Sequence, residues 1–203
     1  IIALIKGDGE LAIPDAIKAI MDTGNVVNST MISKPGHCVL NEIKDVNSIL
    51  FPYRGLGDKD YFSTRRISLN SPQTHAAMIT SRGCPYSCNY CVSGNLNRSK
   101  AVRKRSVNNI VQEMEDLHKN HGINDVIFYD DCFFSNPQTA SADVTLFCET
   151  LLCRDLHMTW QIELRPDLLL ALDDDLISLL ESSGCRQINL GIEKVSSSGL
   201  KFI

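Results

Sequence analysis

The rhythm of apolar positions changes near residue 70. Upstream, residues 1–5 form a continuous apolar run, the pattern of a buried strand, which breaks at the turn Gly7-Asp8-Gly9-Glu10. Residues 12–22 then place Ile13, Ile17 and Ile20 on one helical face, with Gly24 as the stop. From Asn25 to Asn70, Pro35-Gly36, Pro52 and Gly55-Leu56-Gly57 interrupt any period, which predicts a connector with short strands.

After residue 70 strands and helices alternate. Residues 76–80 read as a short apolar strand leading into a cysteine-rich loop. Ser106 is placed to cap a helix whose apolar positions, Val107, Ile110, Val111, Met114 and Leu117, follow helical spacing up to Gly122. Residues 125–129 form the next strand, and a helix after Pro137 buries Ala140, Val144, Phe147, Cys148, Leu151 and Leu152. Residues 158–162 are a strand. Asp173 or Asp174 caps a third helix with Leu176, Ile177, Leu179 and Leu180 inward, stopped by Gly184, and residues 187–192 form a fourth strand. The alternation predicts an α/β fold of repeated βαβ units around a parallel sheet. Four strands do not close a barrel, so the expected form is an open, curved half-barrel. Functional residues should gather beyond the carboxyl ends of its strands, where the cysteine loop, Asp130-Asp131, Arg165 and Glu193 all fall.

The 203 residues carry a net charge of −4 and no basic face for a phosphate backbone, so no nucleic-acid partner is expected. The run containing Arg98, Lys100, Arg103, Lys104 and Arg105 reads as a solvated loop, contact with an anionic substrate being the alternative. No apolar run reaches the roughly 20 residues of a membrane span, and no signal-peptide pattern opens the chain. The start at Ile1 reads as that of a segment of a longer protein. Eight cysteines, three of them clustered, argue for metal binding in a reducing compartment, hence a cytoplasmic location, over a disulfide framework.

The cluster lies in Thr80-Ser-Arg-Gly-Cys84-Pro-Tyr-Ser-Cys88-Asn-Tyr-Cys91. Thiolates at this Cys-x3-Cys-x2-Cys spacing can each take one iron of a cubane cluster, which leaves the fourth iron open to a ligand. Structural zinc or a plain electron-transfer cluster needs a fourth ligand, a part that Cys38 or Cys132 would have to fill. Cys148, Cys153 and Cys185 read as packed thiols, and His37 is a lesser metal candidate beside Cys38. Tyr90 could present its ring to an adenine. Asp130 and Asp131 fit caps or a solvated turn as readily as a binding role. Arg165 could equally pair with Asp167 or Glu163, and Glu193 with a surface cation.

The cysteine motif resembles the signature of the radical S-adenosylmethionine superfamily. Thr80-Ser-Arg-Gly, Phe128-Tyr129-Asp130-Asp131, Trp160 through Arg165, Gly184-Cys185 and Gly191-Ile192-Glu193 resemble its cobalamin-associated branch, over residues 70–203. The resemblance implies a 4Fe–4S cluster on Cys84, Cys88 and Cys91, whose open iron chelates S-adenosylmethionine. The reduced cluster would cleave that cofactor to methionine and a 5′-deoxyadenosyl radical, which takes hydrogen from a small-molecule substrate. The electron would come from a reductant such as flavodoxin or ferredoxin. By the same resemblance, Asp130 and Asp131 approach the methionine amino group, Arg165 its carboxylate, Glu193 the ribose hydroxyls and Tyr90 the adenine.

Residues 1–24 resemble the end of a Rossmann-like cobalamin-binding domain, which makes 25–70 a linker and 71–203 a radical SAM core incomplete at its carboxyl end. No Asp-x-His-x-x-Gly motif is present for axial histidine ligation, so cobalamin is expected, if at all, of the full-length protein. Methyl transfer and ring formation are the reactions implied. A methylthiotransferase, and a non-catalytic iron–sulfur or zinc electron-transfer module, are the alternatives.

Overall fold

The computed structural model describes residues 6–25, 40–55, 75–93 and 101–193. The expectations for residues 1–5, His37, Cys38, Arg98 and Lys100 lie outside them. The chain divides into two compact units, Ile1–Ile49 and Leu50–Ile203.

In the first unit, β1 (Lys6–Gly7) and β2 (Leu40–Asn41) pair in parallel, and α1 (Gly9–Thr23) leaves directly from β1. The Gly7-Asp8-Gly9-Glu10 turn is this strand-to-helix junction, so the helix begins three residues before the expected Ala12. Gly7 has φ +91°, and a Cβ there would collide with the Asn41 carbonyl oxygen. Asp8 ties the junction to the second strand: its Oδ2 accepts from the Ile43 N–H at 2.7 Å, and its own N–H donates to Asn41 O at 2.8 Å. The buried positions of α1 are Ala12 and Ala16, one and two turns on from Asp8. Ile13, Ile17 and Ile20 stay about half exposed, so the apolar stripe read from the sequence is not the buried face.

The second unit holds a four-stranded parallel sheet of β3 (His75–Met78), β6 (Asp125–Phe128), β7 (Thr159–Leu164) and β8 (Cys185–Leu190), in that spatial order. Each strand lies beside the next in sequence, the order of a barrel segment rather than of a doubly wound sheet. The strands start one to two residues from their expected positions, apart from β6, whose start at Asp125 agrees. A two-stranded antiparallel ribbon, β4 (Ser81–Arg82) with β5 (Arg103–Lys104), was not anticipated.

Helix α2 (Val107–His121) is capped by Ser106, whose hydroxyl accepts from the Asn109 N–H, and stops at Gly122 as expected. It buries Ile110, Val111, Met114 and Leu117, and also Glu113. Helix α3 (Ala140–Cys153) buries the expected residues except Leu152, which is turned outward. A short helix α4 (Pro166–Leu169) follows β7. Helix α5 (Asp174–Ser182) is capped by Asp173, buries Leu180, and leaves Ile177 partly exposed, against expectation. Trp160, fully buried on β7, packs edge-on to Phe147 of α3 at 5.2 Å between centroids. Its indole N–H donates to Ser183 O at 3.0 Å, which satisfies the one polar atom this large side chain buries. Among the described residues no helix is long and apolar enough to cross a membrane.

Candidate cluster and cofactor site

Beyond the carboxyl end of β3 the chain passes through Thr80 into β4 and then to Cys84. It returns on β5, with Ser81 opposite Lys104 and Arg82 opposite Arg103. The cysteine segment thus leaves from a paired base. Two arginines fasten that base: Arg105 donates to Ile79 O at 3.0 Å and Arg54 to Ala77 O at 3.2 Å. Both also pair with the buried Glu113 of α2, at 2.6 and 3.0 Å. A carboxylate in the core requires such partners. Arg103, Lys104 and Arg105, expected as a solvated loop, are therefore strand residues and a largely buried ion pair.

Cys84, Cys88 and Cys91 form no disulfide, each is half-buried, and the Cys91 N–H donates to Cys88 O at 3.1 Å. Burial raises the pKa of Cys84. A backbone hydrogen bond at Tyr86 opposes this, and the negative charges of Asp131, Cys91 and Cys88 add to it. A cation bound beside Cys84 would oppose these effects and favour its thiolate. Among the described residues no three His, Cys, Asp or Glu side chains converge as one metal ion requires. Zinc draws its ligands to a single centre, whereas each thiolate of a cubane takes a different iron. The donor set suits the cluster better than the single ion.

Cys132 does not offer a ready fourth ligand. It is buried, donates to Phe134 O at 3.4 Å, and is pushed up to about 12, first by burial and then by the charge of Cys84. Cys148 is a packed core thiol as expected. Cys185 is half-buried and packs against the core, whereas Cys153 is exposed and is not the packed thiol the sequence suggested. Cys153 is the last residue of α3, a position that leaves it open to solvent.

The remaining candidates fall at the same end of the sheet. Arg165, just past β7, stacks over the Tyr86 ring at 3.8 Å and directs Nη1 to within 4.0 Å of Cys88 Sγ. Its Nε and Nη2 go to the two carboxylate oxygens of Asp167, at 3.0 and 3.3 Å. It therefore makes the structural pair and faces the cysteines at once. Tyr90 is exposed and lies near Glu193, beyond β8. Partial loss of water at its hydroxyl and then the Glu193 carboxylate push its pKa up to about 12. Asp131 is exposed and accepts from Ser93 Oγ at 2.6 Å. Asp130 is buried, and one of its oxygens, Oδ1, takes donors from Thr80 and Ser81. Sequence reasoning missed Tyr86 and Ser93. Both lie within or beside the cysteine spacing, where no periodicity distinguishes them.

Residues 78–203 match the model of the Radical SAM superfamily, more than half of the chain. The chain is 27% identical to an uncharacterized methyltransferase of Pyrococcus horikoshii, over 99% of its own length and 42% of that protein. It is 26% identical to the anaerobic magnesium-protoporphyrin IX monomethyl ester cyclase of Rubrivivax gelatinosus, over 99% of its length and 36% of that protein. The chain thus spans less than half of the curated relatives it matches. Its fold is similar to that of TsrM, a radical S-adenosylmethionine methyltransferase from Kitasatospora setae solved with cobalamin and a 4Fe–4S cluster bound. That match has a TM-score of 0.68 at 18% identity and covers 96% of this chain and 39% of the other. The chain therefore belongs to the radical SAM superfamily of enzymes.

Proposed function

We propose that this chain is the cofactor-binding part of a radical SAM enzyme, in which Cys84, Cys88 and Cys91 hold a 4Fe–4S cluster and Tyr90, Asp131, Arg165 and Glu193 receive S-adenosylmethionine. The observation that carries the reading is the arrangement at one end of the sheet. Three half-buried cysteines share a loop, with Arg165 4.0 Å from the middle one and Tyr90 and Glu193 near each other at the same end. When bound, the cluster supplies the single electron that cleaves S-adenosylmethionine to methionine and a 5′-deoxyadenosyl radical. The protein's part is placement and charge. Arg165 offers Nη1 to a carboxylate while Asp167 and the Tyr86 ring fix the plane of its guanidinium. Asp131 gives an acceptor for an ammonium group, and the exposed carboxylate of Glu193 suits ribose hydroxyls.

We further infer that the full protein uses cobalamin, in methyl transfer or ring formation on a small molecule. The relatives' names support this, as does the βα junction of the first unit, read as the end of a cobalamin-binding domain. Residues 71–203 are then the core, with a flavodoxin- or ferredoxin-type reductant as its electron source and a cytoplasmic setting. The test is anaerobic reconstitution followed by EPR of the reduced chain. A 4Fe–4S signal that shifts on adding S-adenosylmethionine is expected. A cluster indifferent to the cofactor, or zinc in place of iron, would sink the proposal.

A further inference from the structure

We propose that Asp130 and Asp131 bracket the cysteine loop: Asp130 fixes where it starts, Asp131 where it ends, and Asp130 is a positioning residue rather than a cofactor contact. The inference rests on the cluster reading of that loop. Asp130 is 8% exposed, and its Oδ1 accepts from the Thr80 N–H at 2.9 Å, Thr80 Oγ1 at 2.9 Å and Ser81 Oγ at 2.7 Å, and also from the Ser81 N–H. Two consecutive residues thus turn every N–H and hydroxyl they have onto one carboxyl oxygen, an arrangement that fixes a backbone path. The carbonyl of Thr80 is held from the other side, by the Arg105 N–H at 2.8 Å. Asp130 is itself placed by the sheet, since the Tyr129 N–H donates to Met78 O at 2.9 Å and extends the β3–β6 ladder to the residue before it. Cys84 follows three residues after Ser81, so its starting point is set at this junction. Asp131 instead accepts from Ser93 Oγ at 2.6 Å, two residues past Cys91. Both ends of the loop are therefore tied to adjacent residues at one strand end.

The test begins without metal. In the full apo chain, Asp130→Ala is expected to raise amide exchange in the Thr80–Cys84 stretch, and alkylation of Cys84, by roughly tenfold, the loss of hydrogen bonds to two residues. Exchange in β6 and β7 should stay unchanged. Asp130→Asn, which keeps a carbonyl acceptor, should restore most of the protection. Asp131→Ala should act at Ser93 and Cys91 instead. If Asp130→Ala does not fold, Ser81→Ala and Thr80→Val remove donors while leaving the aspartate, with the same direction and about threefold each. Unchanged exchange in all of these, or a uniform rise through β6 and β7, overturns the bracket. After reconstitution, Asp130→Ala should hold less iron and give an altered EPR line shape. Full loading with a wild-type signal and a lost response to S-adenosylmethionine would make Asp130 a cofactor contact and overturn the inference. Wild-type chain that takes up no iron would instead sink the cluster reading and leave the apo result to decide the bracket.

Discussion

The two ends of the four-stranded sheet carry similar side chains and use them differently. At the amino end, the buried Asp125 of β6 accepts from Arg186 Nε and Nη2 of β8, both at 2.8 Å, and from Thr159 Oγ1 of β7, also at 2.8 Å. The pair spans three strands, and both oxygens of the carboxylate are engaged. At the carboxyl end, Asp131 and Glu193 are exposed, and Arg165 keeps one guanidinium nitrogen turned to a thiol. Their partners lie in segments beyond the strands rather than in the sheet. A charge closed by its own sheet can contribute only to stability, whereas one held from outside the sheet at the strand ends retains capacity for a ligand. Asp130 is the informative exception, a carboxyl-end residue that is buried, and the backbone it holds is the lead-in to the cysteines.

The comparison breaks most sharply through the thiols. Replacing Cys84, Cys88 or Cys91 by Ala should reduce bound iron at least roughly tenfold, because each irreplaceable thiolate serves one iron. Cys132→Ala and Cys148→Ala should leave iron unchanged. Iron lost with Cys132 would return the four-ligand electron-transfer module to contention. At the other end, Asp125→Ala should destabilise by about 3 kcal/mol, the low side for a broken buried pair, because Arg186 still reaches water. Thermal unfolding should register this as a fall of roughly 6–12 °C. Iron per folded chain should not change, and a parallel loss of iron would mean the two ends are not independent.

What could be read from the sequence follows the same division. The helix stripes of α2 and α3 and the order of strands were legible because a buried face imposes a period. The cysteine loop was legible because metal chemistry imposes a spacing. The β4–β5 ribbon was not, since its two-residue strands pair across 20 positions and show no period at all. Glu113 was hidden for a different reason. A charged residue among the polar positions of a helix reads as solvated, and only the arrival of Arg105 and of Arg54, 59 residues away, makes its burial tolerable. Nor could the sequence rank Asp130 against Asp131. Adjacent and chemically identical, they separate only when one carboxylate turns to Thr80 and the other to Ser93.

Smaller effects sharpen the contrast at the carboxyl end. Glu193→Gln should change unfolding free energy by no more than about 0.5 kcal/mol, as for other exposed substitutions. It should weaken S-adenosylmethionine binding roughly fivefold, since the amide keeps an acceptor but loses the charge. Titration of the reconstituted chain measures the second quantity and chemical denaturation the first. A stability loss with unchanged binding would move Glu193 into the class of Asp125.

Arg165 lies between the classes and gives the finest test. Its pair with Asp167 has good bidentate geometry, but the side chains are 38% and 46% exposed, so water competes for both. A double-mutant cycle with Arg165→Lys and Asp167→Asn in the apo chain should therefore give a coupling below about 1 kcal/mol. If the guanidinium is shared with a cofactor carboxylate, the same cycle read on S-adenosylmethionine affinity should show Arg165→Lys weakening binding while Asp167→Asn acts in the same direction only when Arg165 is present. Lysine keeps the charge but loses both the planar fork and the stack on Tyr86, so its deficit isolates geometry from electrostatics. Coupling in stability without coupling in affinity would make Arg165 a surface ion pair that happens to pass a cysteine.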